Sequence, residues 1–217
     1  MTTESHYYPV FLNLADKKCL VVGGGKVGLE KVMPLLRAGA EVTVIAKKFV
    51  SDFFQLALCH PQLHLEERAY HGGEAQNYYL VITATGKKDT DYSIYGECHE
   101  KKILVNAADY IPGCDFILPA RFQAGDIQIA VSTSGSSPAL ATWLRDRIEE
   151  DLGNEICLLA EMLKQARAVL KENNKMPSKD RWRALLDEGL LEELRQGNVE
   201  YVQRKVDDFL KENLSFE

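Results

Sequence analysis

The sequence contains no apolar run long enough to span a bilayer, so no transmembrane helix is expected. Basic residues are not in excess. Lys and Arg number 26 against 32 Asp and Glu, a net charge of -6 and a pI near 5.5. Neither nucleic acid nor an anionic membrane is therefore an expected partner. Cysteine is sparse and unpatterned: Cys19, Cys59, Cys98, Cys114 and Cys157 are odd in number and form no CxxC pair. That argues against a disulfide framework and a structural zinc site, and for reduced thiols in a cytoplasmic protein. The five histidines lack ligand spacing too. His60 and His64 are four apart, but Pro61 between them opposes a shared helix face. No metal site is expected. Residues 1–8 have no signal-peptide core, and no internal repeat or low-complexity tract occurs. What remains is ordinary: 217 residues, 46% hydrophobic and 27% charged, enough for a packed core in one large domain or two small ones.

The first half alternates two hydrophobic periods. Apolar runs at residues 18–22, 41–46, 64–69, 79–84 and 102–107 read as strands. Helical patterns at 27–38 and 90–101 separate some of them, and Pro34 is expected to kink or loosen the first. Strands joined by helices at these lengths predict βαβ units and a parallel sheet. Beyond residue 115 the pattern changes. Residues 116–123 and 127–132 read as a hairpin with apolar positions on both faces, and 138–152 as a helix. The chain from Asn154 onward is helical in pattern, broken near 173–178 and at Gly189 and Gly197.

Gly23-Gly24-Gly25-Lys26-Val27-Gly28 fits GxGxxG between a buried strand and a helix, the context that a dinucleotide-binding loop requires. Gly23 allows the tight turn, Gly25 lets a pyrophosphate approach the backbone, and Gly28 lets the helix pack closely. The second strand ends in Lys47-Lys48 rather than in an acid. From the residues alone, the lysines fit a 2′-phosphate of NADP, a ribose held without a carboxylate, or a solvated loop. Asp109 follows the fifth strand, where a carboxylate can take a proton, but spacing alone favours an Asx turn before Tyr-Ile-Pro. Ser132-Thr133-Ser134-Gly135-Ser136-Ser137-Pro138 has an N-cap in Ser137 and a first helical residue in Pro138. It reads either as a capped helix or as an anion site of hydroxyls and N–H groups.

Taken together, Tyr8–Leu14, Lys18–Gly25, Ala38–Val44, Ala84-Thr85, Val105–Asp109, Asp115–Ala120 and Val131–Ala139 occur in an order that resembles the precorrin-2 dehydrogenase and sirohydrochlorin ferrochelatase family, the N-terminal region of siroheme synthases. The likeness covers about residues 8–152. It implies a Rossmann-like parallel-sheet α/β domain over 1–115, a hairpin-plus-helix dimerisation segment over 116–152, and a C-terminal helical domain over 153–217. The implied activity is NAD-dependent oxidation of precorrin-2 to sirohydrochlorin in a homodimer. Some members also insert ferrous iron as a second substrate. By the same resemblance Asp109 is the catalytic base, and Lys26, Val27, Lys47 and Lys48 join Gly23, Gly25, Gly28 and Thr85 as cofactor-binding candidates. Precorrin-2 bears a carboxylate on each acetate and propionate arm. Arg121 and the hydroxyl-rich Ser132, Thr133, Ser134, Ser136 and Ser137 are the candidates to meet them. Thr133 stands where some members carry a serine that can be phosphorylated. Because the chain ends at Glu217, no fused methyltransferase region is expected. Two rival readings stay open: another NAD(P)-dependent reductase, and a non-catalytic NAD redox sensor.

Overall fold

The computed structural model describes residues 7–107 and 114–215. The chain divides into two compact units, Met1–Leu118 and Pro119–Glu217.

The first unit is built on five short strands, β1 (Lys18–Val22), β2 (Glu41–Ala46), β3 (Leu63–Glu67), β4 (Leu80–Thr83) and β5 (Leu104–Ala107), in the order β3-β2-β1-β4-β5 with every pairing parallel. Successive side chains of a strand point to opposite faces, and the sequence fills both with apolar groups. Cys19 and Val21 of β1, Val42 and Val44 of β2, and Leu80 and Ile82 of β4 share one core with Val32, Leu35 and Leu36 of α1 (Lys26–Arg37) and Phe53 of α2 (Asp52–Cys59). Leu20, Val22, Ile45, Val81 and Val105 build the opposite core with Ile94 and Cys98 of α3 (Lys88–Lys101). Helices thus cover both faces, the doubly wound arrangement expected from the alternating periods.

α1 continues through Pro34, whose carbonyl accepts the Ala38 N–H at 3.1 Å, with Val32, Leu35 and Leu36 buried in the core. Two local expectations are corrected. α2 occupies a stretch that the sequence pattern left without an element. Phe53, Leu56 and Ala57 face the core at helical spacing, but the exposed Phe54 and Leu58 blur that period in the sequence. The fifth strand starts at Leu104, because Lys102 caps α3 in the left-handed region at φ +56°.

In the second unit, β6 (Ala120–Ala124) and β7 (Ile127–Val131) pair antiparallel across Gly125-Asp126. Gly125, at φ +57°, takes the first turn position, where two-residue hairpins need positive φ. The strand begins after Pro119, which lacks an N–H for the ladder, so residues 116–119 lie outside it. The hairpin is also apolar on one face, not two. Ala120↔Val131, Phe122↔Ile129 and Ala124↔Ile127 form a half-buried side, while Arg121, Gln123, Gln128 and Ala130 are exposed. α4 (Pro138–Leu152) packs against both strands. α5 (Glu155–Glu172), α6 (Lys179–Leu186), α7 (Leu190–Arg195) and α8 (Val199–Ser215) enclose a separate core of Leu159, Met162, Leu170, Leu190, Val202 and Val206. Trp182 of α6 and Phe209 of α8 pack with ring centroids 4.8 Å apart.

Candidate functional site

Strand order reverses between β1 and β4, and in open parallel sheets a crevice forms at that point beyond the carboxyl ends of the strands. A cavity of about 580 Å³ lies there, within the volume range of small-molecule sites. It is lined by the turns that leave four neighbouring strands: the glycine loop after β1, Lys47 and Lys48 after β2, Arg68 to Tyr70 after β3, and Ala84 to Lys87 after β4.

The glycine loop is fixed by backbone. Gly23 N–H donates to the Ile45 carbonyl at 3.0 Å, and Val50 N–H donates to the Gly24 carbonyl at 2.9 Å. Gly23 sits at φ +136°, and a Cβ on it would fall 2.1 Å from the Ala84 carbonyl oxygen, so no other residue fits. Gly25, the N-cap of α1, faces open space: an added Cβ would meet nothing within 4 Å. The loop therefore leaves an unfilled cradle at a helix N-terminus, where backbone N–H groups and the helix dipole suit an anion. The cations Lys26, Lys47, Lys48, Arg68 and Lys87 line the cavity, and among the described residues no carboxylate lines it. This chemistry fits the pyrophosphate of a dinucleotide, with Lys26 and the glycine loop as its holders.

Of the sequence candidates, Gly23, Gly25, Lys26, Val27, Lys47, Lys48 and Thr85 all line this cavity. Gly28 lies behind it, packed against the Gly23 carbonyl. The Thr85 hydroxyl is engaged within its own turn, donating to Asp91 Oδ1 at 2.7 Å and accepting the Lys87 N–H at 3.0 Å. Asp91 is 3% exposed, which makes it the buried post that orients Thr85. Asp109 lies outside the described residues. The chain leaves β5 at Ala107, two residues before it.

Arg121 and the 132–137 turn belong to the second unit. Arg121 stands on the exposed face of β6, and its carbonyl accepts from Arg145 Nη1 at 3.4 Å. Ser137 caps α4, its Oγ accepting the Leu140 N–H. The turn's other hydroxyls serve the turn itself. Thr133 Oγ1 donates to the Ser137 carbonyl and accepts its N–H, each at 3.0 Å, Ser136 Oγ donates to the Thr133 carbonyl, and Ser132 Oγ accepts the Ser134 N–H. Thr133 and Ser136 thus spend their hydroxyl protons inside the turn, whereas the Ser132 and Ser137 hydroxyls serve there as acceptors and keep an O–H that can meet an anion. Ser134 holds the left-handed position of the turn at φ +52°.

Sequence reasoning missed Gly24, Arg68, Tyr70 and Lys87. An added Cβ on Gly24 would meet the Lys48 carbonyl at 2.2 Å, so the close approach of the chain leaving β2 demands glycine there too. Arg68 and Tyr70 follow a strand, and that position was their one available signal. Arg68 bonds both Glu66 and Glu74, and its guanidinium holds the Glu74 carboxyl below the usual range. Glu97 of α3 accepts from the Tyr70 hydroxyl at 2.7 Å and from the N–H groups of Gly73 and Ala75 at 2.9 and 2.8 Å. Two carboxylates thereby staple residues 68–75 into a fixed wall. Among the described residues, no group of three or more His, Cys, Asp or Glu is gathered for a metal ion, and no helix is long and apolar enough to cross a membrane.

Comparison with known proteins matches residues 10–120 to a family described as putative NAD(P)-binding, and residues 125–150 to the sirohaem biosynthesis protein central family. A siroheme synthase of Psychromonas ingrahamii is 34% identical over 96% of this chain and 45% of its own length. The siroheme synthase of Thioalkalivibrio sulfidiphilus is also 34% identical, over 96% of this chain and 43% of its own. The chain thus spans a little under half the length of these relatives. A solved structure described as SirC, precorrin-2 dehydrogenase, superposes with a TM-score of 0.73 over 95% of this chain and 100% of that one, at 24% identity, which establishes the shared fold.

Proposed function

The chain belongs to the putative NAD(P)-binding family, and from that membership we propose that it oxidises precorrin-2 to sirohydrochlorin with NAD as the hydride acceptor. One observation carries the proposal. A glycine-loop cavity lined by five cations stands at the sheet's switch point, and a sirohaem-type central segment follows it, in a chain that aligns with siroheme synthases over nearly its full length.

The reaction removes two hydrogens from the macrocycle. NAD, when bound, takes one as hydride. The other leaves as a proton, and Asp109, two residues past the end of β5, is the base we assign to it. Gly23, Gly25 and Lys26 hold the pyrophosphate, and Lys47 and Lys48 lie at the ribose end. Within the second unit, Arg121 and the hydroxyls of Ser132 and Ser137 are our candidates for the substrate's carboxylates.

We further assign a homodimer through residues 116–152. A two-stranded hairpin is marginal in isolation, and α4 carries Leu140 and Trp143 at 46% and 57% exposure on the side away from its buried Ala141.

The deciding experiment combines purified protein, NAD and enzymatically generated precorrin-2. The absorption spectrum of sirohydrochlorin is expected to grow in step with NADH. Cofactor binding without that spectrum would leave a redox sensor, and turnover of other substrates alone would leave a different reductase.

A further inference from the structure

The cavity wall that follows β3 is built around one guanidinium. Arg68 lines the cavity, yet its hydrogen bonds all run to protein acceptors. Nε and Nη2 donate to Glu66 Oε2, Nη2 also to Glu74 Oε1 at 2.6 Å, and Nη1 to Glu74 Oε2 and the Ala69 carbonyl, each at 3.0 Å. A guanidinium has five N–H donors, and these contacts engage them all. What it still offers a ligand is its planar face, a surface on which aromatic rings stack.

Its place in the sheet says which ring. β2 and β3 are neighbours, with Ala46 in register with Glu67, so the turn bearing Lys47 and Lys48 and the turn bearing Arg68 leave the sheet side by side. The pyrophosphate belongs at the glycine loop after β1, and the adjoining ribose at the end of β2. The next group outward is the base, and the next wall outward is Arg68. That wall is set before any ligand arrives, since Glu74 also accepts the His71 N–H at 2.8 Å and Glu97 pins Tyr70, Gly73 and Ala75.

We propose that Arg68 is the platform on which the adenine ring of the dinucleotide stacks, and that Glu66 and Glu74, by engaging its fork, withhold it from a 2′-phosphate and so favour NAD over NADP. The inference rests on the cofactor reading given above. Arginine forks are the usual means of gripping a 2′-phosphate, and Arg68, the one arginine among the described lining residues, is already paired. Lys47 and Lys48 remain, but lysine is a mobile point charge that discriminates poorly by geometry.

The test is calorimetric titration of the full chain with NAD, NADP, ADP-ribose and nicotinamide mononucleotide. Arg68→Met and Arg68→Lys both remove the plane, and the second keeps the charge. Each is expected to weaken NAD and ADP-ribose by about tenfold and to leave nicotinamide mononucleotide unchanged. Glu74→Ala frees N–H donors on Arg68 and is expected to raise NADP affinity about fivefold. Wild-type affinity for NAD and ADP-ribose in both Arg68 variants would overturn the platform. An equal loss for nicotinamide mononucleotide would overturn it as well, since that points to a collapsed wall. No gain of NADP affinity in Glu74→Ala would overturn the role of the carboxylates. A wild-type chain that binds neither NAD nor ADP-ribose would instead overturn the cofactor reading itself.

Discussion

A Cβ placed on Gly28 would fall 2.1 Å from the carbonyl oxygen of Gly23. The third residue of α1 is thus pressed onto the turn that begins the glycine loop, and the helix can reach the sheet only because Gly28 has no side chain. Gly25 differs, since a side chain there would point into open space. The two glycines should therefore fail in different assays. Gly28→Ala is expected to destabilise the fold by roughly 1–3 kcal/mol, the cost of an overpacked contact with backbone that cannot yield. Gly25→Asp should melt like the parent and lose NAD binding, because its carboxylate enters the pyrophosphate's cradle. Paired urea unfolding and NAD titration check both. Unchanged NAD affinity in Gly25→Asp would mean that the loop is a turn and nothing more.

Asp109 supplies the second prediction. It stands outside the glycine loop, so Asp109→Ala and Asp109→Asn should keep NAD affinity within about twofold while dehydrogenation falls by about 10²–10⁴-fold, the usual contribution of a positioned base. Single-turnover formation of sirohydrochlorin, set beside a binding titration, separates the two effects. Wild-type turnover in either variant would remove Asp109 from the chemistry.

The buried thiols predict the alkaline limb of stability. Burial pushes Cys19 up from the usual 9.0 to about 11, and Cys98 to about 12. Their folded values lie above the unfolded ones, so this contribution is complete below pH 9 and shrinks as the unfolded chain ionises between pH 9 and 11. At pH 10.5 the Cys19 difference amounts to roughly 2 kcal/mol. The stability gap between wild type and Cys19→Ala should narrow by about that much from pH 8 to pH 10.5, read by urea midpoints. At pH 8, iodoacetamide should modify the exposed Cys59 in the native protein and reach Cys19 and Cys98 only on unfolding.

What was legible in the sequence was what local physics determines. The apolar runs of β1 and β2 and the Ser137-Pro138 cap of α4 carry their structure in their own residues, and their boundaries are found where the pattern put them. The glycine loop was legible because its strand and helix flank it directly. Arg68 and Tyr70 were not, because they reach the cavity through the pairing of β3 with β2, and a distant register leaves no mark on a local pattern. The engagement of Thr133 and Ser136 within their own turn was not legible for a related reason: the turn's backbone matches those donors and acceptors, which composition does not reveal. α2 was hard to read because the exposed Phe54 and Leu58 mask the helical spacing of its core-facing Phe53, Leu56 and Ala57.

The last prediction concerns assembly and uses the two tryptophans. Trp143 of α4 is 57% exposed in the single chain, three residues from Leu140 on the same outward side, whereas Trp182 packs against Phe209 among α5–α8. A large apolar side chain at such exposure gains from being covered, at about 25 cal/mol per Å² of apolar surface removed from water. In a symmetric pair it would be covered twice, once by each copy. With Trp182→Phe as background, Trp143 becomes the sole indole. Its emission should shift to shorter wavelength as concentration rises through the dimerisation range, in step with the sedimentation coefficient. Trp143→Glu should hold the chain monomeric at micromolar concentration, because it places a charge where two apolar surfaces would meet, while leaving the melting of the α5–α8 core near that of the parent at equal monomer state. A monomeric wild-type chain at micromolar concentration would refute the dimer. A dimer whose Trp143 emission stays that of a solvated indole would place the contact on the exposed Arg121 face of the hairpin instead.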